Sequence, residues 1–484
     1  MSDTTAARHR PARPAAGTPR GSREPAGGAA PDRRPAPASP DPGDPGAPGA
    51  EAPGSPDPGA DDPASGALPP ESPEGISDPD TAPGASGALG ASEAPGADAP
   101  GSPDPGAAVR RYRGRVAGID VARGLAVLGM FCAHVAPRDP GDPVVLRLLV
   151  TASDGRSSIL FALLAGVSLA ILTGRNVVYE GEQMRTARLR ILGRSAMLVV
   201  IAGLLVSLGT SINIILAFYA AWFVAALPFA RWPAARLLRA AAVLSVLGPL
   251  TAVGVIWLAG SLGMWMTGDA NSFIVEVFFS GAYPGASYMV FVLAGMGIGR
   301  LDVTSTRLQV RLVWVGGLLA VLGYLTSWCL AQVVGLPTEE GIEPWRQVTI
   351  ANGPTTGEGL HWTPLPFPAL ADLVDAGAHT GTVLETVGSG GCAVMVLGLC
   401  LLAGGWARHV LRPVAAVGSM ALTAYSAQFV VVAFNEDWLV AQDWAPFAWL
   451  ALGAMAGTLG WGLVARRGPL EWVMWKVSLA AART

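Results

Sequence analysis

The sequence predicts an all-α, polytopic membrane protein: a bundle of about ten transmembrane helices preceded by a disordered tail. Three observations carry that expectation. Apolar stretches of about 17–25 residues recur from Val116 onward, each long enough to cross roughly 30 Å of hydrocarbon as a helix. Arginine is concentrated in alternate connections between them. The 51% hydrophobic average over 484 residues also mixes two unlike materials.

The first material is residues 1–109, rich in Pro, Gly, Ala, Ser and Asp. Such a segment has too little apolar surface to offset its ordering entropy, so it reads as a disordered tail. "GSPDPGA" occurs at 54–60 and again at 101–107, a low-complexity sign. The tail is basic from Arg8 to Arg34 and acidic beyond. It reads as a solvated segment with no nucleic-acid role, and without the apolar core of a secretory signal.

The second material is residues 110–484. Spans are expected near 118–136, 157–174, 191–209, 212–230, 239–262, 283–299, 312–335, 391–406, 412–434 and 446–464. The near-continuous apolar run 191–230 breaks at "SLGTSIN", where Gly209 and its polar neighbours permit a turn. Charge tests the count. "RRYRGR", the 175–190 loop, "RWPAARLLR", the 300–311 loop, "ARHVLR" and the C-terminal segment are all Arg-rich. Segments 263–282, 337–390 and 435–445 hold only Arg346. The positive-inside rule then places both termini in the cytoplasm of a multi-pass plasma-membrane protein and the 337–390 loop outside. The first outer loop is the exception, with Arg138, Arg147 and Arg156. "GPLEWVMWKVSL" is too short to span, and its Trp472, Trp475 and Lys476 suit a helix lying at the inner interface. The four cysteines lie in apolar runs without metal-type spacing, so no metal is expected.

"GIDVARGLAVLGMFCAH" at 118–134 followed by "DGRSSILFALLAGVSLAI" resembles the opening of multi-pass bacterial acyltransferases related to heparan-α-glucosaminide N-acetyltransferase. "YPGASYMVFVLAGMGIGR", "VGSMALTAYSAQFVV" and "GPLEW" resemble the bacterial membrane family called domain of unknown function 418. The opening is also similar to a wider class of membrane O-acyltransferases, whose first span carries Arg, ten residues, then His; Arg123 and His134 have that spacing. The resemblance implies a transmembrane acyltransferase domain over 110–484. Its implied donor is acyl-CoA, acetyl-CoA in the first instance, and its acceptor an extracytoplasmic glycan or small molecule. The eukaryotic N-acetyltransferases carry a catalytic histidine in the first outer loop. Here 136–156 contains none, which moves the expectation to His134.

The residues themselves give each position a plain structural role beside a chemical one. Asp120 and Arg123, three apart, share a helix face. They are either an anchoring ion pair or a donor site, with Arg123 gripping the phosphates of acyl-CoA and Asp120 holding its fork. His134 is either a helix-end imidazole or a general base or nucleophile at the outer mouth. In "SDGRSS", Ser153 or Asp154 is a candidate N-cap. The chemical reading has Asp154 orienting His134 and Arg156 contacting the acceptor. His379 is either a solvated loop residue or lines the mouth opposite His134. Asn213, Tyr219, Tyr425 and Gln428 are polar residues within apolar spans, serving as interhelical bonds or cavity lining. His361 and His409 read as surface residues. The competing function is a small-metabolite transporter without chemistry, which would also explain intramembrane charge. It would be expected to show pseudo-symmetric halves, and 118–262 and 283–464 show no evident match.

Overall fold

The computed structural model describes residues 116–261, 275–280, 282–334 and 373–483. The tail and most of the 337–390 loop, with His361, lie outside the described residues. Among the described residues the chain forms helices and no strand. In a bilayer core, intra-segment helical hydrogen bonds are one of the few ways to satisfy a spanning backbone.

The helices are α1 (Ala117–Val135), α2 (Val144–Ser153), α3 (Arg156–Leu172), α4 (Gly181–Val206), α5 (Leu216–Ala225), α6 (Ala234–Ser261) and α7 (Gly285–Gly299). They continue with α8 (Thr306–Val334), α9 (Val383–Leu402), α10 (Gly404–His409), α11 (Arg412–Ser419), α12 (Ala421–Ala433), α13 (Ala445–Val464) and α14 (Pro469–Ala480). All ten expected spans fall on helices. Among the described residues six helices are long and apolar enough to cross a membrane alone, and the number rises to eight if each of two bent pairs is one span. The remaining two, α5 and α7, are shorter apolar helices. The multi-pass, all-helical membrane architecture is therefore as the sequence implies.

Three details differ from the sequence reading. The second span begins earlier than expected: α2 precedes α3 across a 43° bend at Asp154 and Gly155. Ser153 is consequently the last residue of α2 and Asp154 its C-cap, while Gly155 is the N-cap of α3. Neither Ser153 nor Asp154 caps α3 by its side chain. The ninth span is broken as well, with α11 and α12 meeting at 86° across Met420.

Helices α1, α3 and α7 form the core. They contribute fully buried Phe131, Ile159, Leu163, Leu164 and Leu169 along with Val292. Helices α8 and α13 instead expose Trp314, Trp328, Trp449 and Leu463, the apolar outer surface that a bilayer covers. Small residues let the core helices meet backbone to backbone. A Cβ on Gly166 of α3 would run into the Val292 carbonyl of α7, and one on Gly295 into the Leu163 carbonyl. Helix α11 meets α1 the same way, Gly418 lying on the Asp120 carbonyl and Gly124 on the Val414 carbonyl.

Polar side chains fasten the breaks. Glu471 of α14 accepts hydrogen bonds from the backbone N–H groups of Leu422 (2.8 Å) and Thr423 (3.1 Å) and from the Thr423 hydroxyl. It satisfies the open N-terminus of α12 and complements its dipole, which gives the "GPLEW" stretch a physical task. Buried Arg300 donates to the carbonyls of Thr173 (3.1 Å), Arg175 (2.8 Å) and Ala230 (2.6 Å), tying the ends of α3 and α7 to the turn after α5.

Candidate active site

Helix α1 carries polar residues at both ends, and other helices converge on each. At its first end, the Arg123 guanidinium lies 3.3 Å from the Asp120 carboxylate. It also donates to the Gly418 carbonyl and to the Ser168 hydroxyl, each at 3.3 Å. Ser168 belongs to α3 and Gly418 to α11, so Arg123 faces the bundle interior, as the cost of a charge in lipid requires. Asp120 is buried and steadies one side of the guanidinium. Arg194 of α4 and Tyr219 of α5 lie within electrostatic range of Arg123.

At the other end, His134 sits in the last turn of α1. Its Nδ1 is hydrogen-bonded to the Gln428 side-chain Nε2 of α12, and its ring meets Phe429 edge-on at 6.3 Å. Gln428 is buried, and its Oε1 has no partner among the described residues. Asp154, His379 and Arg138 lie within electrostatic range of the imidazole.

The carboxylate expected to orient His134 is engaged elsewhere. Asp154 accepts a hydrogen bond from Arg138 at 2.8 Å and lies 4.0 Å from Nε2 of His379. The contact on His134 comes instead from Gln428, an inward polar residue whose partner sequence separation conceals. Arg156 points into the bundle. It donates to the Tyr324 hydroxyl (2.7 Å) and to the Thr151 carbonyl (2.5 Å), and Tyr324 is bonded in turn to Ser389 (2.7 Å). Two of the three arginines that break the charge pattern, Arg138 and Arg156, thus have fixed partners.

His379 is brought to the His134 end, beside Asp154 and edge-on to Tyr283 at 5.7 Å. Its backbone adopts φ +62°, uncommon for a residue with a side chain. Buried Glu385 holds it there: its carboxylate accepts from the N–H groups of His379 (2.7 Å) and Gly381 (2.5 Å) and from the Thr380 hydroxyl (3.2 Å). Thr382 caps α9 by accepting from the Glu385 N–H at 3.0 Å. Gly155, at φ +66°, packs on the same loop, where a Cβ would press on Ala378. A small cleft opens beside these groups, lined by Ser287, Tyr288, His379 and Glu385 with apolar Ile159 and Phe291. The Ser287 hydroxyl is buried without a partner among the described residues.

An aromatic seam packs beside the His379 loop. Phe161, Tyr219, Trp222, Tyr288 and Tyr283 touch in sequence, with centroids 4.9–5.6 Å apart. The Tyr219 hydroxyl and Trp222 indole N–H are buried in it without partners among the described residues. Tyr425 instead accepts from the Ile215 N–H at 3.2 Å and so secures the start of α5. Among the described residues no group of three or more His, Cys, Asp or Glu is arranged to hold a metal.

Neither a curated protein nor a solved structure matches the chain. A family model does match: residues 115–331 correspond to heparan-alpha-glucosaminide N-acetyltransferase, catalytic. The matched stretch runs from the start of α1 to near the end of α8. It holds Asp120, Arg123, His134, Asp154 and Arg156, while Gln428 and His379 come from beyond it. Over that stretch, less than half of its length, the chain is similar to that family.

Proposed function

We propose that this is a plasma-membrane acyltransferase that moves an acyl group, acetyl in the first instance, from cytoplasmic acyl-CoA to an extracytoplasmic glycan or small-molecule acceptor. The observation that carries the reading is the bipolar α1. Arg123 and His134 are eleven residues apart, about 16 Å along the helix axis, and each end gathers polar groups from three or more other segments. A guanidinium facing inward suits the phosphates of the donor. The aromatic seam suits its long arm, because Tyr219 and Trp222 offer unused hydrogen-bond donors to the amide carbonyls such an arm carries.

His134 supplies the proton transfer. When the Gln428 amide turns to present Oε1, it accepts Nδ1–H and leaves Nε2 free as a base. The turn sacrifices no other bond of Oε1, which has none. The acceptor hydroxyl or amine then attacks the thioester carbonyl carbon. A bond forms from acceptor oxygen or nitrogen to that carbon, and the carbon–sulfur bond breaks. The acceptor proton passes to Nε2 and on to the departing thiolate, which leaves as the thiol. The cleft at Ser287, His379 and Glu385 lies where an outer acceptor would approach, with Asp154 beside His379.

Mass spectrometry of envelope glycans and secreted metabolites, with and without the gene, tests the assignment. Loss of one acyl mass unit in the deletion strain is the expected result. Unchanged acylation beside altered uptake would instead indicate transport. Orientation is checked by replacing Gln442, exposed between α12 and α13, with cysteine in a chain lacking its native cysteines. Labelling by an impermeant maleimide in intact cells is expected, and protection there with labelling at Glu182 would reverse the topology.

A further inference from the structure

We propose that Arg190 and Arg194 of α4 form, together with Arg123, a phosphate-binding site at the end of the bundle where α1 begins. The preferred occupant rests on the acyl-CoA reading; the site itself rests on unbalanced charge. Arg190 and Arg194 are one turn apart on α4 and share a face. Their guanidinium groups make no hydrogen bond or ion pair among the described residues, and the Nε of each is buried without a partner. Arg194 lies within electrostatic range of both Arg190 and Arg123.

The packing brings them together. The Ser478 hydroxyl of α14 donates to the Arg190 carbonyl at 3.3 Å, and Gly193 abuts Ala481 just beyond α14. The same α14 sends Glu471 to the start of α12, next to the Gly418 carbonyl that Arg123 holds. Two acidic side chains at this end are committed. Asp120 is engaged with Arg123, and Glu471 serves the open amides of α12. Lys476 of α14 stacks on Trp472 and Arg467 on Trp475, which adds further positive charge to this helix.

Removing guanidinium groups from water is costly unless an anion and hydrogen bonds replace the solvent. Arg also bears a planar fork that fits phosphate oxygens. A phosphate held between α1 and α4 would neutralise the excess and occupy the unused donors. The phosphates of coenzyme A and the headgroup of an anionic lipid share this chemistry.

The test uses the full-length protein in phosphatidylcholine nanodiscs. Coenzyme A is titrated calorimetrically in one arm. In the other, retention of phosphatidylglycerol through purification is measured by native mass spectrometry. The Arg190→Gln/Arg194→Gln variant is compared with wild type and with the charge-keeping Arg190→Lys/Arg194→Lys variant, which separates a binding loss from a folding loss. Coenzyme A affinity is expected to fall about 10–100-fold in the Gln variant and less in the Lys variant. If affinity for coenzyme A is unchanged but phosphatidylglycerol is lost, the site stands and its occupant is lipid. Both ligands unaffected in a folded Gln variant would overturn the site. Wild type failing to bind coenzyme A while retaining phosphatidylglycerol through these arginines would count against the donor reading alone.

Discussion

The two ends of α1 are built on opposite plans. At the Arg123 end the polar groups on α1 itself sit in an interlocking set: Asp120, Ser168 and the Gly418 carbonyl hold the guanidinium, and Glu471 holds the helix break behind it, while Arg190 and Arg194 of α4 keep an unpartnered Nε among the described residues. At the His134 end the side chains are held while their reactive atoms are left open. Gln428 takes only Nδ1 of His134, its own Oε1 is unpartnered, and Ser287 lines a cleft with its hydroxyl unused. A helix that needed only stability would have its own polar groups satisfied alike at both ends, because unsatisfied buried polar groups cost about 1–3 kcal/mol each. The difference fits a rigid mount at one end and a working end at the other.

That contrast can be broken from either side. The largest expected effect on folding comes from Gly418→Leu, which drives a side chain into the Asp120 carbonyl and separates α11 from α1. Overpacking of this kind costs about 1–3 kcal/mol or more, so folded yield and Tm should fall together, as read by fluorescence-detected size exclusion. Next is Arg123→Lys, which keeps the charge and loses the fork. The donor KM should rise about tenfold, with kcat less affected. Gln428→Leu removes the group that orients His134. It should lower kcat several-fold to about tenfold without a matching change in donor binding, since it lies at the far end from Arg123. The smallest effect is expected for Tyr324→Phe. It takes one partner from Arg156 at a place with no proposed chemistry, so activity should stay within about twofold while Tm drops slightly. A large kcat loss there would move Arg156 into the working end.

Much of this architecture is legible in the chain. The length and recurrence of apolar runs locate the ten helical regions, and the expense of a lipid-facing charge turns Arg123 inward before any contact is known. The shape of the spans is less legible. "VVLRLLVTAS" continues the second span only because Gly155 makes a bend there, and the arginines at 138, 147 and 156 disguise the segment as a loop. The Met420 break is equally hidden, because its stabilising partner Glu471 lies about fifty residues on. Site contacts are the least legible. His134 and Gln428 are 294 positions apart, and Asp154 has Arg138 and His379 within reach, so local spacing favours a pairing with His134 that the fold does not make. The proposed grouping of Arg190 and Arg194 with Arg123 could be drawn only from the way α14 packs on α4 and on the α12 break.

The central claim is that the two ends of α1 act on one donor, with His134 performing the transfer. It is tested most directly in proteoliposomes loaded with radiolabelled acetyl-CoA on the side of Arg123. Label is followed into an envelope extract supplied on the side of His134, for wild type and His134→Ala. Wild type should transfer label. His134→Ala, folded and binding coenzyme A as wild type does, should transfer it about 10²–10⁴-fold more slowly. Equal transfer by the two proteins would contradict the account.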